Sequence, residues 1–196
     1  MLQEPGDKHY ILLMQIKQGS QTALEQLFLQ LKDTIFTLSL NYLRNREEAE
    51  EVVQDVFVEV FQSADTFKGE ASVKTWVCRI AVNKSLNLLK YRGRKKRFAF
   101  ISSLFGESGE LRFNPADFDH PGIALENKEK ASYLFAAVDK LPENQKTAFL
   151  LLKVQGLSQK EAAEVMAIGE KALESLYQRA RANLKKDLEN IYDQLF

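Results

Sequence analysis

The 196-residue sequence is poor in the residues that build covalent cross-links and metal sites. Cys78 is the only cysteine, so an intrachain disulfide is excluded, and the two histidines, His9 and His120, lie far apart in unrelated contexts. No apolar run approaches the roughly 18 residues of a membrane helix, and the N-terminus lacks the basic-then-apolar pattern of a secretory signal. We therefore expect a soluble, cytoplasmic protein with no metal site and no membrane span.

Net charge is also absent, because 27 Lys and Arg balance 27 Asp and Glu. The balance hides an uneven distribution, since residues 74–97 hold nine basic residues and no acidic one, whereas residues 98–125 are acidic. A basic stretch suits nucleic-acid phosphates, although a solvated helix end has the same composition. The sequence shows neither a Walker-type phosphate loop nor a nucleophile with a plausible histidine partner, so we expect neither an enzyme nor a bound cofactor.

Nearly every periodic segment has apolar residues at spacings of three and four, which is the period of an α-helix. Three such stripes precede residue 97, namely Leu24, Leu27, Phe28, Leu31, Ile35, Leu38 and Tyr42; Val52, Val53, Val56, Phe57, Val60 and Phe61; and Val73, Val77, Ile80 and Leu88. Residues 98–125 are rich in turn formers, and the helical pattern resumes near Glu126. We predict an all-α protein with two small helical domains, residues 1–97 and 126–196, joined by a flexible acidic linker at 98–125.

The second domain carries the signals of a helix-turn-helix. Pro142 suits the first turn of a helix, and Gly156 suits a left-handed helix end. Ser158 followed by Glu161 predicts a capping box that starts another helix, which Gly169 would end after about three turns. A long polar helix would follow. This geometry places a helix in the major groove of DNA, although short patterns of this kind also occur in helical proteins that never contact DNA.

The helix expected over residues 47–64 has a polar face opposite its apolar stripe. Its members recur at i, i+3, i+4 and i+7, and we name them the acidic face: Glu51, Gln54, Asp55 and Val58. Such a face suits solvent, and it equally suits a basic helix on another protein.

A glycine-bearing loop then leads into a basic helix, with Ser72 as a good N-cap. The loop and the helix entrance contain Phe67, Lys68, Gly69, Ser72 and Trp76, and one helix face carries Arg79, Asn83, Asn87 and Lys90. Basic residues bind phosphates without sequence information, whereas asparagine can contact a base edge. Trp76 suits either the protein core or a wedge against an opened base step.

In the order in which they occur along the chain, the acidic face, the loop with its basic helix and the helix-turn-helix resemble the extracytoplasmic-function (ECF) class of bacterial RNA polymerase sigma factors. The resemblance covers nearly the whole chain. Residues 49–57 are similar to the polymerase-binding helix of that family, residues 67–83 to its promoter-melting segment, and residues 141–181 to its fourth-region helix-turn-helix. The resemblance implies a dissociable subunit whose partners are core RNA polymerase and promoter DNA, with an anti-sigma factor as a further candidate partner. The alternative is a stand-alone helix-turn-helix regulator, which would have no need of the acidic face or of the loop at 67–72.

The resemblance also implies a role for each segment. The acidic face would contact the basic coiled coil of the polymerase clamp. Loop 67–72 would hold a base flipped from the non-template strand of the minus-ten element, and Asn83 would contact the upstream end of that element. Arg79 and residues 90–97 would hold phosphates, and the linker 98–125 would run towards the RNA exit path.

The long C-terminal helix would contact the minus-thirty-five element through Lys171, Glu174, Ser175, Gln178 and Arg179. Many relatives have Ser or Thr at the position of Gly169 and basic residues near Glu174 and Leu176. A glutamate loses phosphate attraction, although it can accept a hydrogen bond from a cytosine amino group. We therefore expect altered promoter selectivity or a greater dependence on the polymerase. The core of this domain is expected to include Leu173, Leu176, Tyr177, Ala180 and Leu184.

Overall fold

The computed structural model describes residues 7–105 and 128–195, with side chains over 7–94 and 133–189. These described ranges are helical and contain no β-strand. They belong to two compact units, one on each side of the gap. The prediction of an all-α protein with two helical domains is confirmed. The rest of the predicted linker, residues 106–125, lies outside the described residues.

The N-terminal unit contains four helices. They are α1 (Lys8–Lys17), α2 (Gln21–Leu43), α3 (Arg46–Ser63) and α4 (Val73–Phe105), with a 3-10 turn at Ala64–Thr66 after α3. The side chains of Asp7, Ser20 and Asn45 accept hydrogen bonds from backbone N–H groups at the starts of α1, α2 and α3. These caps satisfy amides that a helix cannot pair internally, which explains where the three helices begin.

The core of this unit lies among α1, α2, α3 and α4. Its most deeply buried apolar side chains are Leu13, Leu27, Ile35, Leu38, Tyr42, Val56, Val60, Val73 and Val77. The predicted stripes supply most of this set. Phe61 is an error of the prediction, because its side chain is 41% exposed. It lies three residues after the exposed Val58, so it belongs to the outer side of α3.

Helix α4 continues to Phe105, eight residues beyond the predicted boundary at 97. The physical reason is compositional, because residues 98–105 contain no Gly or Pro and the strong turn formers begin at Gly106. The first part of the expected linker is therefore helical.

Arg92 joins α4 to the corner between α2 and α3. Its Nε donates to Oε1 of Glu48 at 2.8 Å, a second guanidinium nitrogen contacts Oε2 of Glu48, and Nη1 donates to the carbonyl of Leu43 at 3.2 Å. Leu43 ends α2, so this carbonyl has no partner within its own helix. Desolvation by burial lowers the pKa of Arg92. Arg92 thus acts inside the protein, which corrects its placement among the phosphate-binding residues 90–97.

The C-terminal unit consists of α5 (Lys128–Lys140), α6 (Glu143–Phe149), a π-helical turn (Leu150–Val154), α7 (Gln159–Met166) and α8 (Glu170–Leu195). Pro142 directly precedes α6, and Gly156 has a φ of 64°. The capping box is present, since Glu161 N–H donates to Ser158 Oγ at 3.2 Å and Ser158 N–H donates to the Glu161 carboxylate at 2.9 Å. The predicted helix-turn-helix punctuation is confirmed at these positions.

The end of α7 differs from the prediction. Helix α7 has eight residues, about two turns, and the left-handed residue after it is Ala167 at a φ of 54° rather than Gly169. The strain of a Cβ in this conformation is offset because the N–H groups of Ala167 and Ile168 both bond back to carbonyls of α7. Gly169 instead precedes α8, where its carbonyl accepts from Ala172 and Leu173 at 3.0 Å.

Helix α8 buries one side and exposes the other. Leu173, Ala180 and Leu184 are buried as predicted, whereas Leu176 and Tyr177 are only half-buried. The Tyr177 ring lies beneath Lys153 and Arg181, at 5.7 and 5.9 Å from the two cations. This packing fixes α8 and directs its polar side away from the unit.

Over the described ranges, the longest helices are too polar or too short to cross a bilayer. In the same ranges no three His, Cys, Asp or Glu side chains are grouped in a way that would bind a metal ion.

Candidate polymerase and nucleic-acid interfaces

The side chains of the acidic face on α3 are exposed. Glu51, Gln54, Asp55 and Val58 all lie on the outer side, and Val58 is 55% exposed. Phe61 extends the series at i+3 from Val58, which adds a second large apolar group to a charged surface. Adjacent exposed apolar groups on a charged face are compatible with a protein-binding surface. Sequence reasoning missed Phe61, although the spacing from 51 through 54 and 58 to 61 contained the signal.

Loop 67–72 has buried anchors and an exposed tip. Phe67 is 8% exposed, and its ring lies 5.3 Å from that of Trp76 at an angle of 59°. Lys17 Nζ donates to the carbonyl of Phe67 at 3.4 Å, which fastens the loop to α1. Trp76 is half-buried in this contact, so the structure favours its core alternative. Phe67 and Trp76 thus pack against each other and shape the loop, and their contact with DNA stays a prediction.

The tip and the far end of the loop follow the sequence prediction more closely. Lys68 and Glu70 are exposed, and Gly69 has a φ of 75°, a conformation that favours glycine. Ser72 Oγ accepts from the N–H of Thr75 at 3.0 Å, so Ser72 is the predicted N-cap of α4. The result is a short protrusion held at both ends.

The outer face of α4 carries a row of polar side chains. Asn83, Asn87 and Lys90 are exposed, and Arg94 continues the row at i+4 from Lys90; we name these four residues the basic face. Arg79 is only half-exposed. Gly93 has no side chain to fill the space beside the row, which leaves a shallow recess lined by Asn87, Lys90 and Arg94. The side chains of residues 95–97, predicted to bind phosphates, lie outside the described set.

The outer face of α8 is organised by hydrogen bonds. Lys171, Ser175, Gln178 and Arg179 are exposed and Glu174 is half-exposed, as predicted for a DNA-facing surface. Gln178 Nε2 donates to Glu174 Oε1 at 2.6 Å. Arg179 Nη2 donates to Ser175 Oγ at 2.7 Å, and its Nε donates to the Ser175 carbonyl at 3.3 Å. Most of the predicted side chains are thus already bonded to one another.

Glu174 also bonds to a residue that sequence reasoning missed. Gln159, the first residue of α7, donates from Nε2 to Glu174 Oε2 at 2.7 Å. We name Gln159, Glu174 and Gln178 the Glu174 bridge. Gln159 lies 15 residues before Glu174, so no helical spacing in the sequence marks this contact.

An anchored loop before a basic helix, together with a separate helix-turn-helix, defines a two-domain helical protein with exposed polar faces on both units. Two family models match these two units. Sigma-70 region 2 matches residues 27–95, and Sigma-70, region 4 matches residues 132–184, together more than half of the chain.

Two relatives are similar to this chain over nearly their whole length. The ECF RNA polymerase sigma-E factor of Haemophilus influenzae is 29% identical over 178 residues, which cover 91% of this chain and 94% of the relative. The RNA polymerase sigma-H factor of Pseudomonas aeruginosa is 28% identical over 189 residues, which cover 96% and 97%. The chain belongs to the sigma-70 family, in its ECF class. It is therefore a transcription initiation factor that directs RNA polymerase to promoters.

Solved structures show the same fold. CnrH, in complex with the cytosolic domain of CnrY, matches with a TM-score of 0.68 and 24% identity, covering 94% of this chain and 99% of that one. The sigma factor RpoE, in complex with the anti-sigma factor NepR from Bartonella quintana, matches with a TM-score of 0.60 and 21% identity, covering 84% and 96%.

Proposed function

We propose that this sigma factor binds core RNA polymerase through α3, opens the minus-ten element with loop 67–72 and α4, and contacts the minus-thirty-five element with α8. One observation carries the proposal. The family matches fall on both helical units, and each unit exposes the polar helix face that its role requires. The protein would act by binding rather than by catalysis, in the cytoplasm where the polymerase works.

The acidic face supports the first of these roles. Its two carboxylates, Glu51 and Asp55, suit a basic helix, because opposite charges steer encounter and suppress wrong partners. Val58 and Phe61 would lose their contact with water in the complex, and burial of apolar area stabilises association. The charges would then set the orientation of the complex, and the apolar pair would contribute affinity.

The loop and α4 support the second role. Extruding a base from a duplex costs a few kcal/mol, which contacts in the open complex have to offset. A loop anchored at Phe67 and Ser72 loses little conformational entropy when its tip binds a base. Lys90 and Arg94 of the basic face would follow the phosphates, and Asn83 would contact a base edge.

Helix α8 supports the third role, because its polar side follows a short helix and a tight turn and faces outward.

An anti-sigma partner stays a prediction, and co-purification from the native cell with mass spectrometry would identify it.

Equilibrium binding of the full chain to bacterial core RNA polymerase, at near-physiological salt, tests the proposal. Asp55→Lys should weaken binding by roughly 100-fold, because a like charge would face the basic clamp helices. Asp33→Lys is the matched control, since it reverses an exposed acid on α2 and should leave binding unchanged. Unchanged binding of Asp55→Lys would refute the assignment of the acidic face. A wild-type chain that ignores core polymerase yet shifts duplex DNA alone would instead indicate a stand-alone regulator.

A further inference from the structure

We propose that Glu174 is a positioning residue that orients the amide of Gln178 for adenine in the minus-thirty-five element. The inference rests on the proposed contact of α8 with duplex DNA. It adds a residue, Gln159, that holds Glu174 from the neighbouring helix, and it predicts a base preference.

The chemistry of the Glu174 bridge fixes which end of each amide faces inward. An ionised carboxylate only accepts hydrogen bonds, so each glutamine must turn its NH2 group towards Glu174. The two bonds, of 2.7 Å from Gln159 and 2.6 Å from Gln178, engage separate carboxylate oxygens. Because one donor comes from α7 and the other from α8, Glu174 is held from two sides and the bridge ties the two helices together.

Few hydrogen-bonding groups of the oriented Gln178 amide remain free to bind a ligand. One N–H is committed to Glu174, so the second N–H and the carbonyl oxygen remain to face a ligand. This pair of one donor and one acceptor complements adenine, which presents the N7 acceptor and the N6 amino donor in the major groove.

The same set of free donors and acceptors on Gln178 disfavours guanine. It presents two acceptors, N7 and O6, so a glutamine would need both of its N–H donors to bind it bidentately. The bridge removes one of these donors. Glu174 therefore acts on specificity through Gln178. Because both of its carboxylate oxygens accept hydrogen bonds within the protein, Glu174 itself is less suited to accept one from a cytosine amino group, the contact considered in the sequence analysis.

Glu174 has a second, opposite effect on binding. Its negative charge lies on the DNA-facing side of α8 and opposes phosphate attraction. Loss of this carboxylate should therefore raise sequence-independent affinity while it lowers base preference. A residue that only stabilised the helix would not separate the two quantities in this way.

The test is selection by the holoenzyme, made from the full chain and core polymerase, from promoter duplexes randomised across the minus-thirty-five element. At one position, the wild type should prefer adenine over guanine by about 10-fold. Gln178→Ala should reduce the ratio to within about 2-fold, since the bidentate contact is lost. Glu174→Ala should reduce the adenine-over-guanine ratio to the same extent, and its holoenzyme should bind scrambled duplex more tightly than the wild type does.

Two further variants separate positioning from charge and from stability. Glu174→Gln keeps the shape of the side chain but has one accepting oxygen instead of two, so it can hold Gln178 only if Gln159 turns its own carbonyl oxygen towards the new amide. Its base preference should therefore lie between those of the wild type and Glu174→Ala. Glu189→Ala removes a negative charge from an exposed position on the same helix and should keep the wild-type preference. Thermal unfolding of each variant shows whether the domain remains folded. The adenine-over-guanine ratio of each folded variant is then compared with that of the wild type.

The outcomes distinguish the inference from the proposed function. A wild type with a base preference that survives in both Glu174 variants would overturn the positioning role. An adenine preference that survives Gln178→Ala would overturn the assignment of Gln178. A wild-type holoenzyme with no base preference anywhere in the element would overturn the contact between α8 and duplex DNA itself.

Discussion

The two helices proposed to contact promoter DNA, α4 and α8, prepare their outer faces in different ways. Along α4, the basic face presents Asn83, Asn87, Lys90 and Arg94 as an exposed row beside a shallow recess. Along α8, the Glu174 bridge and the bonds from Arg179 to Ser175 hold most polar side chains in fixed positions. One face offers cations along a helix, and the other offers an ordered array of donors and acceptors.

This difference matches the DNA that each helix would meet. Melted DNA has no fixed groove, so exposed cations can follow its phosphates whatever the local path of the strand. A duplex presents base edges in a fixed geometry, and side chains held in advance lose less entropy when they bind them. We therefore expect α4 to supply mainly phosphate affinity and α8 to supply mainly base selectivity.

The largest expected effect comes from removing the support of α4. Arg92→Ala deletes the bonds to Glu48 and to the Leu43 carbonyl, and it leaves a half-buried carboxylate without its cation. After allowance for the partial exposure of this site, we expect a loss of about 2 kcal/mol in the free energy of unfolding of the N-terminal unit. Denaturant titration, followed through the single tryptophan, Trp76, measures it.

Arg94→Ala is the matched control for Arg92→Ala. Arg94 lies two residues further along α4 and is exposed, so its loss should change stability by less than about 0.5 kcal/mol. Equal stabilities for the two variants would show that Arg92 is not the structural cation of this helix.

The Arg92 result also marks the limit of what the sequence could predict. Helical spacing located most core stripes and the capping box, because these signals act between residues three or four apart. The basic composition of residues 90–97 grouped Arg92 with the phosphate-binding cations, and no local pattern marks its true partners, which lie 44 and 49 residues earlier in the chain. Phe61 was assigned to the core for a related reason: spacing gives the side of a helix, whereas exposure depends on what covers it.

The candidate sites divide in the same way. The exposed rows on α3 and α4 were predicted from spacing, whereas the row on α8 was expected from the resemblance to the ECF class. Gln159 could not be predicted, because its bond to Glu174 depends on how α7 packs beside α8. The left-handed residue after α7, Ala167, was also missed, because capping hydrogen bonds there outweigh the preference for glycine.

A smaller effect tests the assignment of phosphate affinity to α4. Lys90→Ala should weaken promoter binding by the holoenzyme by about 1 kcal/mol and should lower the slope of log affinity against log salt by about 1. The loss should be similar for different minus-ten sequences. Binding titrations at several salt concentrations measure both quantities, with Lys32→Ala on α2 as the control. A loss confined to one promoter sequence would contradict the comparison.

The last pair of effects, one similar in size and one smaller, concerns the residues that precede the two helices. Ser72 caps α4 through its hydroxyl, whereas Gly169 precedes α8 without a side chain. Ser72→Ala should therefore cost about 1 kcal/mol in the stability of the N-terminal unit, while Gly169→Ser should stabilise the C-terminal unit by only a few tenths, because glycine is itself a tolerated cap. Separate thermal unfolding of the two units in the full chain, followed by amide hydrogen exchange of α4 and α8, measures both. A Gly169→Ser variant that instead changed base preference in the selection assay would show that this position contributes to specificity as well as to helix initiation.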